Sequence, residues 1–181
     1  MKKVKLFFPC GINRGENGKY FLINQERKNN MTLTQKETGL LFDLKGQEEL
    51  CIEKYKKYEA DAKDPALKAL FCNIRTAEES HLSTVTDILA GSEVSVGTAP
   101  SAVSKKLDCP PSSCTEEEKR ADAFLCKDAL AMEKHVSGLY DTTIFEFTSP
   151  TLRDTLNHIQ KEEQNHGEQL YEYMSINGMY S

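Results

Sequence analysis

The chain of 181 residues has no tryptophan, no Cys-x-x-Cys pair, and no apolar run near the roughly eighteen residues of a membrane span. Each absence excludes something. Without paired cysteines, neither a zinc knuckle nor a rubredoxin-type iron centre is indicated. The early apolar stretch from Val4 to Phe8 is too short for a secretory signal core and is stopped by Pro9. Positive charge is scarce after the first thirty positions: residues 1–30 carry seven Lys or Arg against two Glu, whereas residues 31–181 carry sixteen against 26 Asp or Glu. Such an acidic body lacks the basic patch that displaces counterions from nucleic acid, and it favours cation capture.

Six cysteines stand at 10, 51, 72, 109, 114 and 126. Cys51, Cys72 and Cys126 lie on helical stretches and read as buried thiols. Cys109 and Cys114, in Cys-Pro-Pro-Ser-Ser-Cys on a loop, are placed to pair or to cross-link chains where the compartment oxidises.

Residues 1–30 show neither helical nor strand periodicity and are expected to be a disordered leader. Met31 is a candidate true start, since Glu26-Arg27-Lys28 can be encoded by a purine run of the kind that precedes bacterial start codons. From Thr34 the pattern becomes helical. Thr34-Gln-Lys-Glu37 and Thr115-Glu-Glu-Glu118 are capping boxes, and Asp64-Pro65 and Ser149-Pro150 each pair an N-cap with a proline at the first helical position. Apolar residues at threes and fours then predict helices over about 35–62, 65–90, 116–147 and 150–176. The Ser-, Gly- and Pro-rich stretch of about 91–114 is a long connection. A tight turn, a long loop and another tight turn predict an all-α four-helix bundle of two antiparallel hairpins. The long loop is able to cross the bundle and set helices two and three parallel, which is the ferritin-like arrangement.

The hairpins repeat. Glu48, Tyr55, Pro65, Leu67, Ile74, Glu78 and His81 recur 85 residues later as Glu133, Tyr140, Pro150, Leu152, Ile159, Glu163 and His166. Seven identities in 34 ungapped positions exceed the roughly two expected from random composition. At 1.5 Å of rise per residue, Glu48 lies roughly 24 Å before its turn, and Glu78 and His81 lie roughly 20 and 24 Å after it. All three are therefore level, as are Glu133, Glu163 and His166 in the second hairpin. Packed about a pseudo-twofold axis, four carboxylates and two imidazoles converge into a ligand set for two metal ions, iron or manganese.

A single Glu-x-x-His on an acidic helix is most often a solvated face. Here each member sits in an apolar stripe, where an uncompensated charge is costly. Glu49, Glu79 and Glu162, about 100° around their helices, are expected on flanks or in solvent. His135 and His158 have no repeated counterpart. Tyr55 and Tyr140 follow their glutamates by two turns on the same face, where core packing is the plainer reading and a bond to a ligand or an electron relay the sharper one.

These six residues resemble the di-iron carboxylate signature of the ferritin and rubrerythrin superfamily over about residues 34–177. More narrowly, Thr32-Leu-Thr-Gln-Lys-Glu37, Gln47-Glu-Glu-Leu-Cys-Ile-Glu-Lys-Tyr55 and Tyr140-Asp-Thr-Thr-Ile-Phe-Glu-Phe147 resemble the coat F family of spore coat proteins from endospore-forming bacteria. That resemblance implies a place in the spore coat or mother-cell cytoplasm, with other coat proteins or a second copy as partners. The chain departs from rubrerythrins in lacking the rubredoxin-like domain and their additional third-helix glutamate, Leu130 and Val136 flanking Glu133 instead. Three functions follow as expectations: a coat protein that keeps a di-metal site, an oxidoreductase acting on peroxide or dioxygen, and a metal-stabilised scaffold without catalysis. Neither nucleic acid nor membrane is an expected partner.

Overall fold

The structure is a computed structural model that describes residues 12–14, 20–22, 32–92, 94, 107 and 109–180. The chain divides into two units, Met1–Asn30 and Met31–Ser181. In the first, strands β1 (Ile12–Arg14) and β2 (Tyr20–Leu22) pair antiparallel, with Asn13 opposite Phe21. The sequence reading places no strand there, because three residues are too few for an alternating pattern to register. The rest of the expected disordered leader lies outside the described residues.

Among its described residues the second unit has four helices, α1 (Gln35–Asp61), α2 (Pro65–Leu89), α3 (Glu116–Glu146) and α4 (Pro150–Ile176). Both capping boxes form, with Thr34 accepting from the Glu37 amide and Thr115 from the Glu118 amide. Asp64 and Ser149 cap the proline-initiated helices. Gly91 and Gly178, at φ 83° and 66°, take the left-handed conformation just after α2 and α4.

Side-chain pairs fix the helix directions. Glu37 meets Thr148, Glu48 meets Tyr140, Tyr55 meets Glu133, and Asp122 meets the amide of Asp64, so α1 and α3 run antiparallel. Since α1 and α2 are also antiparallel, α2 and α3 run parallel. Described residues of the connection touch α4 at three places: Thr155 donates to the Val94 carbonyl at 2.8 Å, Glu172 accepts from the Leu107 amide, and Asn177 accepts from the Ser112 amide. From Thr155 to Asn177 is roughly 33 Å of helix. The loop therefore crosses the length of the bundle, as its length predicts.

Apolar packing lies at both ends of a polar middle. Leu41, Leu44, Val85, Ile88, Leu152 and Leu156 are buried towards the start of α1; Tyr58, Leu67, Phe71, Cys126, Leu170 and Tyr173 are buried towards the α1–α2 turn. Cys51 is also buried, but Cys72 is only half-buried, its sulfur 3.6 Å from Arg75. Cys109 and Cys114 are half-buried in the connection. Among the described residues no helix is long and apolar enough to cross a membrane.

Each turn is closed by a carboxylate from the other hairpin. Asp122 of α3 accepts from the amides of Lys63 and Asp64 at 2.8 and 3.0 Å. Glu37 of α1 accepts from the amide and hydroxyl of Thr148 at 2.9 and 3.1 Å, while its other oxygen accepts from the Thr34 amide. Positions 37 and 122, like 63 and 148, are 85 apart, so the duplication extends to the turn locks. Burial opposes ionisation of Glu37, but the bonds from Thr148 and Thr34 outweigh it and hold the carboxyl below its ordinary 4.5.

A depressed folded-state pKa contributes stability above the unfolded value, lost as pH falls through the folded one. We expect Glu37→Ala and Asp122→Ala each to lower the unfolding free energy by about 1–3 kcal/mol at neutral pH, measured by urea denaturation. The gap between wild type and Glu37→Ala should narrow below pH 4.5.

Candidate metal centre

The polar middle of the bundle is formed by Glu48 on α1, Glu78 and His81 on α2, Glu133 on α3, and Glu163 and His166 on α4, all at most 5% exposed. They project from three-four apolar stripes, so folding the stripes inward carries the polar groups with them. The structure brings all six expected residues together. Ligating atoms of Glu48, Glu78, His81 and Glu163 lie within 4.8 Å of one another, and so do those of Glu78, Glu133, Glu163 and His166. Glu78 and Glu163 belong to both groups. The Nδ1 atoms of both histidines face inward: that of His81 is 3.0 Å from Glu163 and 3.3 Å from Glu78, and that of His166 is 3.1 Å from Glu78 and 3.3 Å from Glu133.

Hydrogen bonding leaves this cluster incomplete. Glu48 Oε2, Glu78 Oε1, Glu133 Oε2, both oxygens of Glu163 and Nδ1 of His166 are buried with no hydrogen bond of good geometry, their nearest polar neighbours being cluster groups at ion-pair distance. All six atoms belong to the same cluster. Orphaned acceptors in one dry space are costly, and donor atoms this close can surround an ion at about 2 Å. The two overlapping groups are donor sets that could each hold a metal ion, one with Glu48 and His81, the other with Glu133 and His166, and Glu78 and Glu163 common to both.

Without such cations, protons carry the balance. Burial and the neighbouring Glu163 and Glu78 push Glu48 well above the carboxylate range, and burial pushes Glu163 up to about 8. Burial would disfavour imidazolium at His166, but Glu133 and Glu78 outweigh it and raise the group to about 10. His81 is raised likewise, burial being overcome by Glu162, Glu163 and Glu78. Burial also opposes ionisation of Glu78, yet the two histidines hold it down at about 2.

Two features differ from the sequence reading. Tyr55 and Tyr140 are not plain core tyrosines. The Tyr55 hydroxyl donates to Glu133 and the Tyr140 hydroxyl donates to Glu48, so each hairpin braces the carboxylate of the other. Burial, then the adjacent carboxylate, keeps both phenols protonated. Periodicity shows these tyrosines on the right face but not that they reach across the bundle.

Glu162 is the second correction. Expected on a flank, it is partly exposed, but its carboxylate stands 3.0 Å from Nε2 of His81 and 3.6 Å from Nε2 of His158. The contact orients the His81 ring so that Nδ1 is the nitrogen facing the cluster, where its proton would have to leave for it to ligate an ion. The duplication hides this contact, because position 77 in the first hairpin is alanine. Glu79 and Glu49 are surface groups paired with Arg75 and Lys45, as their helix positions predict. His135 is exposed and outside the cluster.

Comparison with known proteins bears on the second hairpin. The family model of the Coat F domain matches residues 121–181. No curated protein and no solved structure matches the chain. The matched segment holds Glu133, Glu163 and His166, whereas Glu48, Glu78 and His81 lie before it. This C-terminal segment, spanning most of α3 and all of α4, is similar to the Coat F domain.

Proposed function

We propose that the protein is a spore coat protein of the coat F type whose ferritin-like bundle holds two iron or manganese ions. The observation that carries this reading is the convergence of six orphaned buried donor atoms on one space. Metal is an effective neutraliser of four buried carboxylates, and binding would displace the protons that otherwise balance them. The coat assignment is supported by the Coat F match, and its partners are then other coat proteins or a second copy.

A second reading is favoured by a cavity that reaches Glu133 and Glu163 from the surface. When bound, redox-active ions supply the electrons that reduce dioxygen or peroxide. The chain's own contribution is a dry, fixed enclosure: Tyr55 and Tyr140 hold two carboxylates in place, and Glu162 holds His81. A metal-stabilised scaffold without catalysis differs from this in one respect, since metal removal would lower the melting temperature with no turnover to lose.

Elemental analysis of protein purified without a histidine tag tests the main reading. About two Fe or Mn per chain are expected, and a metal-free protein after growth in supplemented medium would end the proposal. Because Glu78 and Glu163 are shared, Glu78→Ala or Glu163→Ala should remove both ions, whereas His166→Ala should leave about one. Glu162→Ala should weaken one of the two sites by about 10–100-fold in a metal titration and leave the other unchanged.

A further inference from the structure

A cavity of about 620 Å³ indents the wall between α3 and α4, lined by Lys134 and Lys161, by Leu130 and Gly167, and by Glu133 and Glu163, whose cluster-facing oxygens stay shielded from solvent. At Gly167 an added Cβ would come into van der Waals contact with Leu130 Cδ1 at 3.4 Å, whereas at Gly39, Gly46 and Gly138 it would meet nothing within 4 Å, so Gly167 is the helical glycine among these four that borders packed side chains. A longer side chain at 167 would press on Leu130 and fill the space between the helices.

The first hairpin has other residues at these positions. The 85-residue offset puts Leu82 in place of Gly167, Glu49 in place of Lys134 and Thr76 in place of Lys161. Of the exposed charges in the lining two are ammonium groups, Lys134 and Lys161, and one is a carboxylate, Glu168, so the mouth is net positive and favours small anions; the first hairpin has neither lysine at the matching positions. The space far exceeds the ~30 Å³ that one water occupies, so it holds a two- or three-atom solute.

We propose that this opening is the passage by which a small anionic metal ligand, of the azide or hydroperoxide class, reaches the Glu133–Glu163–His166 side of the cluster. Gly167 keeps the passage open and Lys134 and Lys161 draw the anion in. The inference rests on the metal reading above, and it names the route and charge class of what approaches the ions.

The test uses the full chain loaded with Co(II), which carboxylate and imidazole donors accept, with bound Co(II) per chain measured first. Azide is then mixed in, and the change in the visible Co(II) absorption is followed by stopped flow. Wild type should associate rapidly, more slowly as salt is raised. Gly167→Leu, which copies Leu82, and the double variant Lys134→Glu with Lys161→Glu should each slow association about tenfold or more at unchanged Co(II) content. The charge-reversed variant changes only surface groups, so it carries the test if Gly167→Leu does not fold. Azide association equally fast in wild type and variants overturns the passage while leaving the metal reading intact. Failure of wild type to take up Co(II) overturns both.

Discussion

Four carboxylates and two imidazoles share the dry interior of one bundle, and this is the constraint to which the surrounding structure answers. An isolated buried carboxylate costs several kcal/mol, so these groups persist only where their charges are balanced and their positions fixed. Equal arm lengths in the two hairpins bring the groups to one height. Tyr55 and Tyr140 satisfy one oxygen each of Glu133 and Glu48, and Glu162 orients His81. What these bonds leave over are donor atoms facing one another across a space of ionic size.

The pseudo-twofold relation governs more than the cluster. Glu37 and Asp122 occupy equivalent positions, and each seals the turn of the opposite hairpin. Tyr55 and Tyr140 exchange partners in the same reciprocal way. Departures from symmetry are local and concern function more than folding: Glu162 against Ala77, Gly167 against Leu82, Lys134 against Glu49. They make the two ends of the cluster chemically different, one imidazole being anchored by a carboxylate and the other end facing the opening.

Much of this was legible in the sequence because identical residues at a fixed offset carry both a structural and a chemical signal. Helix starts were legible from Thr34, Asp64, Thr115 and Ser149, whose side chains have local partners. The crossover was legible from the length of the loop. Contacts between different residue types were not. Glu37 and Asp122 differ in kind, so the match between them is invisible as identity, and Glu37 reads locally as part of a capping box. The angular position of Glu162 reads only as a flank, and it is the contact across to α2 that such a position does not reveal. The two short strands before residue 30 fall below the length at which periodicity speaks.

The reciprocal turn locks tie the two hairpins together. One hairpin by itself has a turn whose amides lack their acceptor and only three of the six converging groups; a second copy facing it about a twofold axis repairs both deficits at once. The chain thus holds, inside one polypeptide, an interface of the kind a symmetric pair makes, while each half is free to carry residues the other lacks.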